Sequence, residues 1–94
     1  MERPKTVTVP LQSPVTHDDK EYDRLTFRRM KARDALVGEE ETSQVMAGYR
    51  MFAALADVPV EVILDLDMED LSEVASKAAT MMGKSALAAI KDLN

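Results

Sequence analysis

The apolar residues of this chain change their spacing once, from every second residue to the 3.6-residue period of a helix, and the change falls at Arg29. Strands first and helices afterwards argue for an α+β domain, because a parallel sheet needs the two patterns to alternate. In Thr6-Val7-Thr8-Val9-Pro10-Leu11 the residues Val7, Val9 and Leu11 share one face of a strand, and Pro10, which lacks an N–H, confines that strand to an edge. The turn formers from Gln12 to Lys20 predict a loop. A second alternating run follows, in which Tyr22 and Arg24 oppose Leu25 and Phe27. The two runs read as a β-hairpin. A lone strand pair is marginal in water, so its apolar face must rest on a helix or on another chain.

Beyond Arg29 the spacing predicts a short helix with Met30, Ala32, Ala35, Leu36 and Val37 available for burial and Gly38 as its C-terminal glycine. Glu39, Glu40 and Glu41 bring negative charge to the start of the next helix, with Thr42 or Ser43 as N-cap. In that helix Val45, Met46, Tyr49, Phe52, Ala53 and Ala56 form one apolar stripe. Pro59 stops it near Asp57 and opens a short helix with Val60, Ile63 and Leu64 inward. Asp67 caps the last helix, with Asp70 placed as a capping-box acid, and Leu71, Val74, Ala75, Ala78, Met81 and Met82 make its stripe. Gly83 either interrupts this helix or is passed, at a cost of about 1 kcal/mol, on the way to Ala86, Leu87 and Ile90. The expectation is an α+β, mainly helical fold: an N-terminal β-hairpin followed by three or four helices. Residues 1–94 form one domain, with a hairpin region at 1–29 and a helical region at 30–94.

At 94 residues the chain has room for a single core, and with aromatic residues at 4% that core is built from Leu, Val, Ala and Met. The absence of Cys removes disulfides, thiolate metal sites and cysteine nucleophiles, and fits a reducing compartment. No apolar stretch follows Met1-Glu2-Arg3-Pro4-Lys5, and nothing approaches the roughly 20 apolar residues of a membrane span. A cytoplasmic location and no membrane contact are expected. The net charge of −5 is unevenly placed, since residues 1–37 carry +2 and residues 38–94 carry −7. An acidic surface repels phosphate, so nucleic-acid binding is not expected unless Arg28-Arg29-Met30-Lys31-Ala32-Arg33 acts alone. The plainer reading of that run is a solvated strand end that pairs with the acidic part of the chain.

Signals of catalysis fail one by one. Met82-Gly83-Lys84-Ser85 ends like a phosphate-binding loop, but Ala78 stands where the motif needs glycine. Asp65, Asp67, Glu69 and Asp70 resemble a calcium loop, yet Asp70 occupies the glycine position and Ser76 the position of the closing Glu. His17 is the one imidazole and sits in the predicted loop beside Asp18 and Asp19, without a second His or a Cys for metal or nucleophilic work. Asp57 and Asp65 would need a pocket larger than this scaffold offers. No catalytic, metal-binding or cofactor-binding residue is assigned, and an enzyme is not expected.

Methionine is the residue in excess. Met30, Met46, Met51, Met68, Met81 and Met82 supply adaptable apolar surface of the kind that grips varied helical partners, or else they fill the core. Met51 and Leu55 lie off the stripe of their helix and suggest a second apolar surface for a partner or a like subunit. Met51, Leu55, Met81 and Met82 are the candidate partner-binding residues.

Three stretches together carry a family likeness: the hairpin, Tyr22-Asp23-Arg24-Leu25-Thr26-Phe27-Arg28-Arg29 with Met30 to Leu36 after it, and Met51 to Ile63 running into Leu66-Asp67-Met68-Glu69-Asp70-Leu71. Over nearly its whole length the chain resembles the Mu-like tail assembly chaperones of tailed bacteriophages. The resemblance implies a non-virion helper in the host-cell cytoplasm that binds the tape-measure protein and recruits tail-tube subunits before the tube polymerises. It also implies a longer form made by ribosomal frameshifting. Met82 is encoded ATG, and a GGA codon at Gly83 followed by Lys84 would create a slippery heptamer there. A homo-oligomer through Met51 and Leu55 is a further expectation. Two other readings stand beside this one: a small nucleic-acid-binding regulator using residues 28–33, and a minor structural tail protein.

Overall fold

A computed structural model describes residues 6–39 and 41–82. Strand β1 (Thr6–His17) and strand β2 (Lys20–Arg28) form a two-stranded antiparallel sheet. A 3-10 turn (Ala32–Leu36) leads into α1 (Gln44–Ala56), α2 (Val60–Leu64) and α3 (Met68–Ala79). The α+β arrangement of a hairpin followed by helices is therefore present. The apolar face of the hairpin rests on the helices as its marginal stability demands: β1 meets α3 and α2, while β2 meets α1. Val9, Leu11, Val15, Leu25 and Phe27 from the sheet join Phe52, Leu55, Val62, Ile63, Val74 and Ala78 in one core.

The hairpin is longer than its pattern suggested. Residues 12–17 belong to β1, and His17 pairs with Lys20 across a two-residue turn in which Asp18 and Asp19 have φ of 53° and 63°. Two successive left-handed residues make the turn whose twist matches the strands, and Asp tolerates that region. His17 consequently ends a strand and lies outside any loop.

Between Pro10, opposite Arg24, and Val15, opposite Tyr22, the four residues 11–14 face Asp23 alone, so β1 bulges. The bulge is held from across the core. Asp70 in the first turn of α3 accepts the Gln12 N–H on Oδ1 and the Ser13 N–H on Oδ2, each at 3.0 Å. Asp70 is buried, and its carboxylate serves the bulge where the sequence pattern assigned it to a capping box. Asp67 does cap α3, accepting the Glu69 N–H at 3.2 Å. Asp70→Ala is expected to destabilise the fold by about 1–3 kcal/mol, because two backbone donors lose their acceptor. Faster amide exchange at Gln12 and Ser13 than at the paired residues 6–10 is the signature to measure.

The segment after β2 departs most from its sequence pattern. Ala32, Ala35, Leu36 and Val37 are all exposed, and the one buried residue of the turn is Asp34. Gly38 is not in the left-handed region expected of a helix-ending glycine. Its role is close approach: a Cβ at Gly38 would stand 2.8 Å from the Ala47 Cβ on α1. That neighbour sits on a helix backbone and cannot rotate away. Gly38→Ala is thus expected to lower stability by about 1–3 kcal/mol, visible as a shift in the denaturant midpoint without a change of slope.

Helix α1 begins at Ser43, whose hydroxyl accepts the Met46 N–H at 3.2 Å, and it ends at Asp57 in the left-handed conformation. Pro59 is the N-cap of α2. Within α2 the buried residues are Val62 and Ile63, whereas Leu64, expected inward, is exposed. Helix α3 buries Val74 and Ala78, and the chain turns after Thr80 to place Met81 and Met82 in the core. Met81 is fixed there by its carbonyl, which accepts the Met30 N–H at 2.9 Å. The stretch from Gly83 to Ile90 lies outside the described residues. No helix among the described residues is long and apolar enough to cross a membrane.

Candidate partner-binding surface

The exposure of the post-β2 segment has a cause in charge. Arg28, the last residue of β2, turns its guanidinium onto Asp34 with two parallel hydrogen bonds, Nη1 to Oδ2 at 2.8 Å and Nη2 to Oδ1 at 2.9 Å. The Lys31 N–H adds a third bond to Oδ2 at 2.6 Å, so the carboxylate has partners on both oxygens. Arg28 also donates to the Arg29 carbonyl at 3.1 Å and to the Ala54 carbonyl of α1 at 3.4 Å. One guanidinium thus joins β2, the 3-10 turn and α1. The hydrogen bond from Arg28 is the main reason that the Asp34 carboxyl is held down to about 2, and the same bond raises Arg28 above its usual value. Burying Asp34 at the centre of the turn forces its apolar neighbours outward.

Leu36 and Val37 are left on the surface, where Val37 forms one wall of a groove. Ala53 and Ala54 of α1 make the floor, Val58 and Val60 the opposite wall, and Arg50 and Glu61 the charged margin. The groove encloses about 410 Å³, inside the roughly 300–1,000 Å³ of ligand-sized clefts. Leu64, four residues beyond Val60 on α2, is 48% exposed. Arg50 donates from Nε to Glu41 Oε1 at 3.0 Å, which holds its side chain along the groove. Nothing in this lining is a nucleophile or a general acid–base pair. The arrangement offers an open trough of mixed lining, with aliphatic side chains beside the charged Arg50 and Glu61.

The four residues singled out from sequence lie elsewhere. Leu55, Met81 and Met82 are buried in the core, and Met51 is half-buried against it. The expected second surface on α1 is therefore a correction: α1 packs on β2, α2 and α3 together, so Leu55 faces inward with Phe52 and Ala53, and it is Val45 of the expected stripe that is exposed. Of the basic run, Arg28 is engaged by Asp34. Lys31 and Arg33 are exposed. Sequence reasoning missed the groove because its floor is alanine, and alanines carry little weight in an apolar pattern. The signal that could have found it is Val58-Pro59-Val60, which folds two valines back beside the end of α1.

A family model described as phage tail assembly chaperone proteins, E, or 41 or 14, matches residues 8–83. Nothing among curated proteins or solved structures matches this chain.

Proposed function

This chain belongs to the phage tail assembly chaperone family, and from that premise we propose that it binds the tape-measure protein and helps bring tail-tube subunits to it. The observation that supports this reading is the groove of Val37, Ala53, Ala54, Val58 and Val60, edged by Arg50 and Glu61 and left open in the folded chain. A tape measure is long and helical, and its bare apolar stripes would aggregate before the tube encloses them. A small acidic protein that covers those stripes keeps the complex soluble through like-charge repulsion. Such a protein acts by binding, performs no catalysis, works in the host cytoplasm and leaves before the virion is complete.

Within this proposal Met51, Leu55, Met81 and Met82 act chiefly through the core that shapes the surface, and the exposed part of Met51 is the share able to touch a partner. Self-association would then be tested with Met51→Glu alone, whose sedimentation should match that of the native chain if Met51 is not at a dimer interface. The longer frameshifted form is decided by the Gly83 codon: GGA permits slippage and any other glycine codon removes it.

The test is co-expression with the tape-measure protein of the same genome. A tape measure that is insoluble alone, and becomes soluble and co-purifies with this chain, bears out the reading. A tape measure that neither needs nor retains this chain refutes it. Mass spectrometry of purified particles separates a departing chaperone, absent from the virion, from a minor structural protein.

A further inference from the structure

We propose that Met68 is a peroxide-sensitive modification site, a methionine whose reversible oxidation to the sulfoxide alters the surface of the folded chain and leaves its core intact. Burial sorts the methionines of the described residues into three groups. Met81 and Met82 are 2% and 4% exposed and belong to the core. Met30, Met46 and Met51 are half-buried, and Met30 and Met51 pack against that core. Met68 is open, with 71% of its surface in contact with solvent, and it stands outside the groove lining.

Exposure decides the chemistry. A thioether has no ionisable proton, so access to the sulfur governs its reaction with hydrogen peroxide. A lone pair of the Met68 sulfur attacks one peroxide oxygen; the S–O bond forms as the O–O bond breaks, and the departing hydroxide takes the proton of the transferred oxygen to leave as water. Sulfur is oxidised by two electrons and the peroxide is reduced by the same two. The sulfurs of Met81 and Met82 meet peroxide when the chain opens, and while it is closed the core shields them.

Position decides the consequence. Met68 is the first residue of α3, where its N–H is one of the donors that no intrahelical carbonyl accepts, and the cap is supplied by Asp67. Its side chain is not among those packed on the core, so a polar sulfoxide there meets water. The same oxygen on Met81 or Met82 would be a buried acceptor beside Val74 and Ala78, and no buried side-chain donor among the described residues is left waiting for one. Exposure also admits repair: a methionine sulfoxide reductase working with a dithiol removes the oxygen as water while the dithiol closes to a disulfide.

Treatment of the full chain with limiting hydrogen peroxide, followed by peptide mass mapping at intervals, tests this. Met68 should gain one oxygen at least about tenfold faster than Met81 or Met82, and in denaturing urea these rates should converge. The chain oxidised at Met68 should melt with the native protein and return to the thioether with the reductase. Met68→Leu should lose the fast step at that position, and Met68→Gln, which puts a neutral polar group in the same place, should melt like the native chain. Oxidation of Met81 or Met82 as fast as Met68 in the folded protein would overturn the proposal. So would a lost cooperative melt in the Met68 sulfoxide or in Met68→Gln, or a sulfoxide at Met68 that the reductase leaves untouched.

Discussion

Leu55→Glu is expected to unfold the protein, whereas Met51→Glu, four residues earlier on the same helix, leaves it folded. Leu55 is 1% exposed, at the centre of the contact between α1 and the rest of the core. Truncating such a leucine to alanine costs about 2–5 kcal/mol. A carboxylate with no partner adds a desolvation penalty, and a chain of this size has about 5–10 kcal/mol in total. Met51 is half-buried, and a Glu there can lead its charge to water along its own methylenes. Far-UV circular dichroism during heating distinguishes the two: a native-like cooperative melt for Met51→Glu, lowered by about 1–2 kcal/mol, and no cooperative transition for Leu55→Glu. A folded Leu55→Glu would mean that this part of α1 is surface after all.

Asp34→Asn is expected to cost about 2–4 kcal/mol and to flatten the acid limb of stability. The exchange keeps the shape of the side chain while removing the charge that Arg28 and the Lys31 N–H address. Arg28 has 39% of its side chain exposed and can recover some hydration, which keeps the loss toward the lower end of that range. The pH dependence has a definite sign. With its folded value lowered from the ordinary 3.8 to about 2, Asp34 binds its proton more weakly in the native chain than in the unfolded one. Its stabilisation is therefore complete above the unfolded value and disappears as pH falls through about 2. Between these limits the native chain should lose stability faster on acidification than Asp34→Asn does. Parallel slopes in urea titrations across that range would show that the pair does not carry the effect. Because Arg28 also reaches the Ala54 carbonyl, the same variant should loosen the Val37 wall and weaken partner binding.

How much of this was readable in advance differs by element, for physical reasons. The hairpin was legible because Val7, Val9, Leu25 and Phe27 alternate, but its length was not. Pro10 and Pro14 interrupt the alternation there, and the Gln12 and Ser13 N–H groups are satisfied by Asp70, 58 and 57 residues away in sequence. No local pattern carries such a bond. Caps at Ser43, Asp57 and Asp67 were legible since a cap involves neighbours alone. The turn at Ala32–Leu36 was not: its apolar residues suggested a buried helix face, and the ion pair of Asp34 with Arg28 inverted the segment. Family membership was legible from packing and capping patterns spread along the chain, and residues 8–83 bear it out. The groove was not, because it is built from three separate segments and floored by the smallest side chains.

The most direct measurement is tape-measure capture by Val37→Asp compared with the native chain. Val37 is 38% exposed, so the variant should melt with the native protein, and any loss of capture then reports on the groove. The account predicts that the native chain keeps the tape measure soluble and bound while Val37→Asp, equally folded, does not. Equal capture by both would contradict it and move the partner contact to another face of the molecule.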